Sequence, residues 1–197
     1  RKEKRSVPKK SIWLIISSNH MQNRNPFISI ILHTLKYAMI MLAFIILMQF
    51  VVTNIIMNGY IPSASMEPGL KEGDFIIGNR LVKEYHRGDV AIFWSEENKY
   101  YIKRIIGVGG DHIVIKDHAV YCNGKKLKEP YIKEEMLTDQ ELKYTVPKNC
   151  YFFLGDNRNN SKDSRYWKYP FIKKKDMVAK VMFRYWPAIK NIKGNLQ

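Results

Sequence analysis

From Tyr37 to Met57 the chain reads YAMIMLAFIILMQFVVTNIIM, 21 residues without a charged side chain. At about 1.5 Å of rise per residue a helix of that length covers roughly 30 Å, the thickness of a bilayer's hydrocarbon core. The run is therefore read as a transmembrane helix over residues 37–57. Gln49 and Asn54 are tolerated within it, and Lys36 sits at the edge, where its ammonium can snorkel to the headgroups. Apolar character extends back to Phe27, broken by His33 and Lys36, so the helix is expected to start ahead of the bilayer core. The alternative is a cleavable secretory signal, since a basic lead and an apolar run precede the small residues Ser63, Ala64 and Ser65. The apolar region of such a signal is about 7–15 residues long, shorter than this one.

A net charge of +15 raises the question of a nucleic-acid partner, and the position of the charges answers it. Residues 1–36 carry eight Lys or Arg against one acid, whereas the remaining 161 residues carry 25 basic and 17 acidic side chains. No arginine-rich stripe and no helix-turn-helix or finger spacing accompanies them, so no nucleic-acid partner is expected. Basic residues ahead of a span favour the cytoplasmic side. Residues 1–36 are accordingly read as a cytoplasmic segment and residues 58–197 as an extracytoplasmic domain, with the lipid bilayer as the first partner. Residues 1–20 contain no methionine, and their apolar stretch SIWLIISS is too short to span, so they are read as an upstream extension or a disordered tail before MQNRNPF.

After Asn58 the pattern changes to short β-prone runs divided by turn residues: FIIGNRLV, DVAIFW, KYYIKRIIGV, HIVIK, AVYC, YFFL and MVAKVMFRYW. This predicts one mainly β domain. Asn123-Gly124 between AVYC and KKL is a type I′ hairpin signal, while the polar stretch Glu134–Lys143 reads as loop. Cys122 and Cys150 allow a single intrachain pairing, which an extracytoplasmic compartment permits, but both lie in strand-like contexts where buried free thiols are equally expected.

Three clusters carry candidate chemistry. IPSASMEPGL at Ile61–Leu70 places Ser63 and Ser65 between prolines. By itself this is a turn, although flanking prolines can also stiffen the backbone around a nucleophilic serine. In YYIKRIIGVGGD, alternation puts Tyr101, Lys103 and Ile105 on one face and Ile102, Arg104 and Ile106 on the other. Each face holds one cation, and periodicity leaves open which is buried. An amine can be neutralised by burial and a guanidinium effectively cannot, so Lys103 is the better candidate base. FLGDNRNNSKDSRYW packs Asp156, Asn157, Arg158, Ser161, Asp163, Ser164 and Arg165 between apolar flanks. It is either a solvated loop or a rigid shell that orients a catalytic pair, with an Asp163–Arg165 pair and a Ser161 hydrogen bond to a neutral lysine as the expected contacts.

Together the clusters resemble, in content and order, the type I signal peptidase family in its Ser-Lys branch. P-S-A-S-M looks like the family's nucleophile box, Tyr-Ile-Lys-Arg like the box carrying the base, Arg87-Gly88-Asp89 followed by VAIF like the box between them, and Gly155-Asp156-Asn157-Arg158 with its downstream residues like the last. The resemblance runs from the anchor to about Trp186. Gly69 stands where the family commonly has Thr, and Gly109 where Pro usually precedes Gly-Asp.

The resemblance implies two antiparallel sheets forming the catalytic domain, Ser65 as nucleophile and Lys103 as general base. Ser63 and the Ser65 N–H would form the oxyanion hole, with Ser161, Asp163 and Arg165 in support. Ile61, Pro62, Met66, Leu70, Tyr101 and Ile102 would contact substrate. The partners implied are membrane-tethered secretory precursors cut after a small-x-small motif, with a monomeric catalytic unit. No cofactor and no metal are expected, since His112 and His118 are not brought together by strand alternation and no HExxH or paired-Cys spacing exists. A self-cleaving repressor would share the chemistry but lack the span, and a silent assembly factor would not need Ser65 with Lys103.

Overall fold

The computed structural model describes residues 25–138, 140–192 and 194. The chain divides into two compact units, Arg1–Gln49 and Phe50–Gln197. The expectation for residues 1–20 lies outside the described residues.

Helix α1 spans Pro26–Asn54, 29 residues with none buried against the protein. Asn25 opens it, its side-chain oxygen accepting the Phe27 N–H at 3.2 Å, and Pro26 takes the first helical position, where a missing N–H is harmless. By length and mean hydropathy this helix can cross a membrane. It differs from the expected span at its C-terminal end. It starts ahead of Tyr37, as the apolar residues back to Phe27 indicated, but it stops at Asn54, and Ile56 and Met57 belong to strand β1, Ile56–Tyr60. The physical reason is pairing: β1 runs antiparallel to β2, Phe75–Asn79, from Ile56↔Asn79 to Tyr60↔Phe75, and Met57 packs against a buried apolar cluster. Hydropathy cannot tell the end of a lipid-facing helix from the start of a core-facing strand.

The remaining strands are β3 (Val90–Trp94), β4 (Tyr100–Val108), β5 (His112–Lys116), β6 (Ala119–Cys122), β7 (Lys125–Lys126), β8 (Leu142–Thr145), β9 (Cys150–Leu154), β10 (Phe171–Lys173), β11 (Met177–Trp186) and β12 (Lys190–Asn191). They form two antiparallel sheets, as expected. One has the order β1-β2-β11-β3-β4-β9-β10 with β12 on β11, and the other the order β7-β6-β5-β8. The long strand β11 enters between β2 and β3, so a strand late in the chain joins the β1–β2 hairpin to the strands around Lys103.

Asn123-Gly124 makes the two-residue hairpin between β6 and β7, with φ of 51° and 80° as a type I′ turn requires. Asp117-His118 does the same between β5 and β6 with φ of 49° and 58°, a turn that, lacking glycine, carries no equivalent signal in the sequence. The stretch read as loop up to Lys143 ends earlier than expected, because Leu142 and Lys143 already pair with Ile115 and Val114. Cys122 and Cys150 are free; burial pushes the Cys122 thiol up to about 11.

Candidate active site

The segment after β1 is tied down at both ends. The Ile61 N–H donates to Asp74 O and the Gly73 N–H to Ile61 O, while Asp74 pairs with Arg184 of β11 at 2.8 Å. Between these ties Ile61, Met66 and Leu70 are buried with Ile76, Val90, Ile92, Ala179 and Val181. These anchors force the polar residues between them to the surface of the core. Ala64–Met66 make a single 3-10 turn, with Ser63 extended before it.

Strand β4 supplies the cation. Periodicity left open whether Lys103 or Arg104 is buried, and the structure buries both, each 4 % exposed, because β4 is covered on both faces at this point. On one face Lys103 Nζ donates to Ser65 Oγ at 2.7 Å and to Ile102 O at 3.2 Å. Burial pushes the Lys103 amine down to about 8, against the opposing pull of Asp163 and Asp156. On the other face Arg104 grips Asp156 with two bonds of 2.8 and 2.6 Å, donates to Gly88 O, and lies 3.9 Å from the centre of the Tyr131 ring. Burial pushes the Asp156 carboxyl up, and the Arg104 guanidinium opposes it.

The loop after β9 locks the serine turn in place. The Asn157 N–H donates to Ser65 O and its side-chain amide to Ala64 O, both at 3.1 Å. At Gly155 an added Cβ would fall on Ser161 Oγ and the Ser65 carbonyl oxygen, so only glycine permits this approach. Asp163, fully buried, accepts the Gly155 N–H at 3.0 Å and pairs with Arg165 at 2.8 Å, and Arg165 reaches on to Arg158 O. Arg158 in turn pairs with Glu129 at 2.6 Å.

Ser63 Oγ lies 3.3 Å from Ser65 Oγ, as its donor. Ser161 differs from expectation: its hydroxyl is buried without a hydrogen-bond partner among the described residues and makes no bond to Lys103. It is wedged against Gly155 instead.

Ser65 and Lys103 open on a cleft of about 880 Å³. Ile61, Pro62, Met66, Tyr101 and Ile102 line it, as the sequence indicated. Leu70 does not. It is 1 % exposed, packs in the core beneath the serine turn and borders a separate cavity beside Arg104 and Asp156. Directly after a turn an apolar side chain points inward as readily as outward, and motif resemblance does not distinguish the two.

Sequence reasoning missed Ile92, which lines the cleft from β3, and Glu129, whose partner Arg158 lies in the last motif. Among strand residues nothing marked Ile92, but a buried arginine in a functional loop calls for a carboxylate, and Glu129 was a candidate. His112 and His118 bond to Thr145 and to Met136 O and do not converge. Of the two departures from the family pattern, Gly69 faces Asp156 and Gly109 lies tight against the backbone of residues 147–149.

Comparison with known proteins gives the family of the chain. Residues 34–186 match the model of the family described as "Signal peptidase, peptidase S26". Signal peptidase I of Bacillus caldolyticus is 38% identical over 154 residues, covering 70% of this chain and 81% of its own. Signal peptidase IB of Staphylococcus aureus strain Mu50 is 36% identical over 169 residues, 75% and 86% of the two chains. A signal peptidase I structure from Enterococcus faecalis V583 shares 31% identity with a TM-score of 0.44, covering 50% of this chain and 97% of that one. A mainly β domain with one membrane-compatible helix and this relationship is that of a peptidase. The chain belongs to the signal peptidase family, peptidase S26.

Proposed function

We propose that this chain is a membrane-anchored serine endopeptidase that removes signal peptides from exported precursors by cutting after a small-x-small motif. Ser65 is the nucleophile and Lys103 the general base. The observation that carries the assignment is the buried 2.7 Å contact between Lys103 Nζ and Ser65 Oγ. A neutral amine at that distance takes the hydroxyl proton as Oγ bonds to the scissile carbonyl carbon. The resulting oxyanion lies against the Ser65 N–H and the Ser63 hydroxyl. Collapse breaks the C–N bond, with the Lys103 ammonium returning its proton to the leaving amine, and water then hydrolyses the acyl-enzyme by the same base.

Strand pairing supports an extended substrate. Tyr100–Lys103 pair with β3 on one side, whereas β9 joins β4 only from Arg104 onward, so among the described residues no strand pairs with the other edge of Tyr100–Lys103, which lies within the cleft. A peptide can add to that edge as a further strand. The walls of Ile61, Met66, Ile92 and Ile102 are apolar and suit small apolar side chains beside the cut.

Orientation follows from the basic residues ahead of α1: the N-terminus cytoplasmic and the β domain outside. Protease added to intact spheroplasts is expected to degrade the β domain and spare an N-terminal tag, and the reverse pattern would sink this topology.

The pH dependence tests the base. With the Lys103 amine at about 8, roughly a tenth is neutral at pH 7 and nine-tenths at pH 9. kcat/KM for a signal-sequence peptide in detergent is therefore expected to rise about tenfold across that interval and then level off. An unchanged ascending limb in Lys103→His would assign the base to another residue.

A further inference from the structure

The substrate cleft does not end at Tyr101. Behind that ring lies a second cavity of about 390 Å³, walled by Tyr101, Tyr166, Trp167, Tyr169 and Ile172, with Ser95 at its base. Tyr101 and Lys162 line both spaces, so the cavity adjoins the cleft. Glu97 holds the partition upright, accepting the Tyr101 hydroxyl at 2.9 Å and pairing with Lys162 at 2.6 Å, while Tyr101 stacks on Trp167 with ring centres 6.0 Å apart.

The chemistry of this cavity is specific. The acids on its rim, Glu96 and Glu97, are matched by Lys162 and Lys168, so it offers no net charge to select an ion. Its aromatic walls favour an apolar, planar occupant. Ser95 Oγ and Trp167 Nε1 are buried without hydrogen-bond partners among the described residues. Both atoms lie beneath the surface, so recognition in the cavity falls to its aromatic walls.

Position follows from the strand. Tyr101 lies two residues from Lys103, roughly 7 Å at about 3.3 Å per residue. A peptide extended along the free edge of Tyr100–Lys103 reaches the cavity roughly three to five residues from the scissile bond.

We infer that this cavity is an accessory subsite that receives an aromatic residue of the precursor three or more positions from the cut. The inference rests on the proposed peptidase activity and adds to its specificity.

The test scans Phe against Gly through each position of a small-x-small peptide on both sides of the cut, in two measurements. One is kcat/KM with the wild-type protein. The other is binding of the labelled peptides to the Ser65→Ala protein by fluorescence anisotropy. One position at least three residues from the cut is expected to gain fivefold or more from Phe, mainly through KM, with a matching gain in binding. Tyr169→Ala, at an exposed position, should reduce that Phe/Gly ratio to below twofold. No gain at any such position, or an undiminished ratio in Tyr169→Ala, overturns the subsite. Failure of the wild type to cleave any reference peptide would instead overturn the proposed activity, and the binding ratios would still decide the cavity.

Discussion

Ser65→Ala and Lys103→Met are each expected to lower precursor cleavage by on the order of 10⁴-fold or more, because members of a nucleophile–base pair act as a unit. Ser63→Ala should be milder, about 10²–10³-fold, since the Ser65 N–H remains to hold the oxyanion. The lysine variant carries a second, opposite signature in stability. The Lys103 amine is pushed down to about 8 in the folded protein. Between about 8 and the ordinary lysine value the unfolded chain binds more protons than the folded one, so stability rises with pH through that window; below it the folded state bears the full penalty of the buried amine. Removing the amine is therefore expected to stabilise the protein at pH 7 by on the order of 2–3 kcal/mol, read from urea midpoints in detergent. A protein that is both inactive and less stable would indicate that Lys103 serves the fold. Retained cleavage in Lys103→Met would remove the mechanism.

The second large effect concerns the charge pair behind the site. Arg104 and Asp156 are both almost wholly enclosed, and Arg104 is additionally bound to Gly88 O. Removing one partner strands the other, so Asp156→Ala is expected to cost about 3–5 kcal/mol of stability. The double variant Arg104→Met/Asp156→Leu should recover most of that loss, since desolvation offsets much of what such a pair contributes. Its activity should nevertheless remain low. Asp156 sits between Gly155 and Asn157, the two positions that clamp the Ser65 turn, and an apolar replacement would not hold that loop in the same register. Full activity in the double variant would show that the pair does not position the nucleophile.

These two experiments separate what was legible in the chain from what was not. The anchor, the mainly β domain and the strand from Tyr100 to Val108 follow from local properties: an uncharged run long enough for a bilayer, and period-2 alternation between turn residues. Ser65 and Lys103 were recognisable through their motifs, although they lie 38 positions apart and no local pattern brings them together. The Asp163–Arg165 pair was legible because its partners are two residues apart.

Other features depended on contacts that sequence order hides. Ile56 and Met57 continue the apolar run without interruption, and only pairing with β2 turns them from helix into strand. Leu70 and Ser161 sit in recognised motifs, yet packing sends the first into the core and wedges the second against Gly155. The choice between Lys103 and Arg104 was a false one. Alternation gives each cation its own face, but whether a face is dry depends on what covers it, and here the serine turn covers one and the Asp156 loop the other. Neighbouring residues alone are enough to read an apolar helix followed by antiparallel β structure that bears a serine and a lysine in recognisable settings. That the lysine is dry, displaced from its ordinary titration and in contact with the serine depends on segments distant in the chain closing over it, because these set its desolvation.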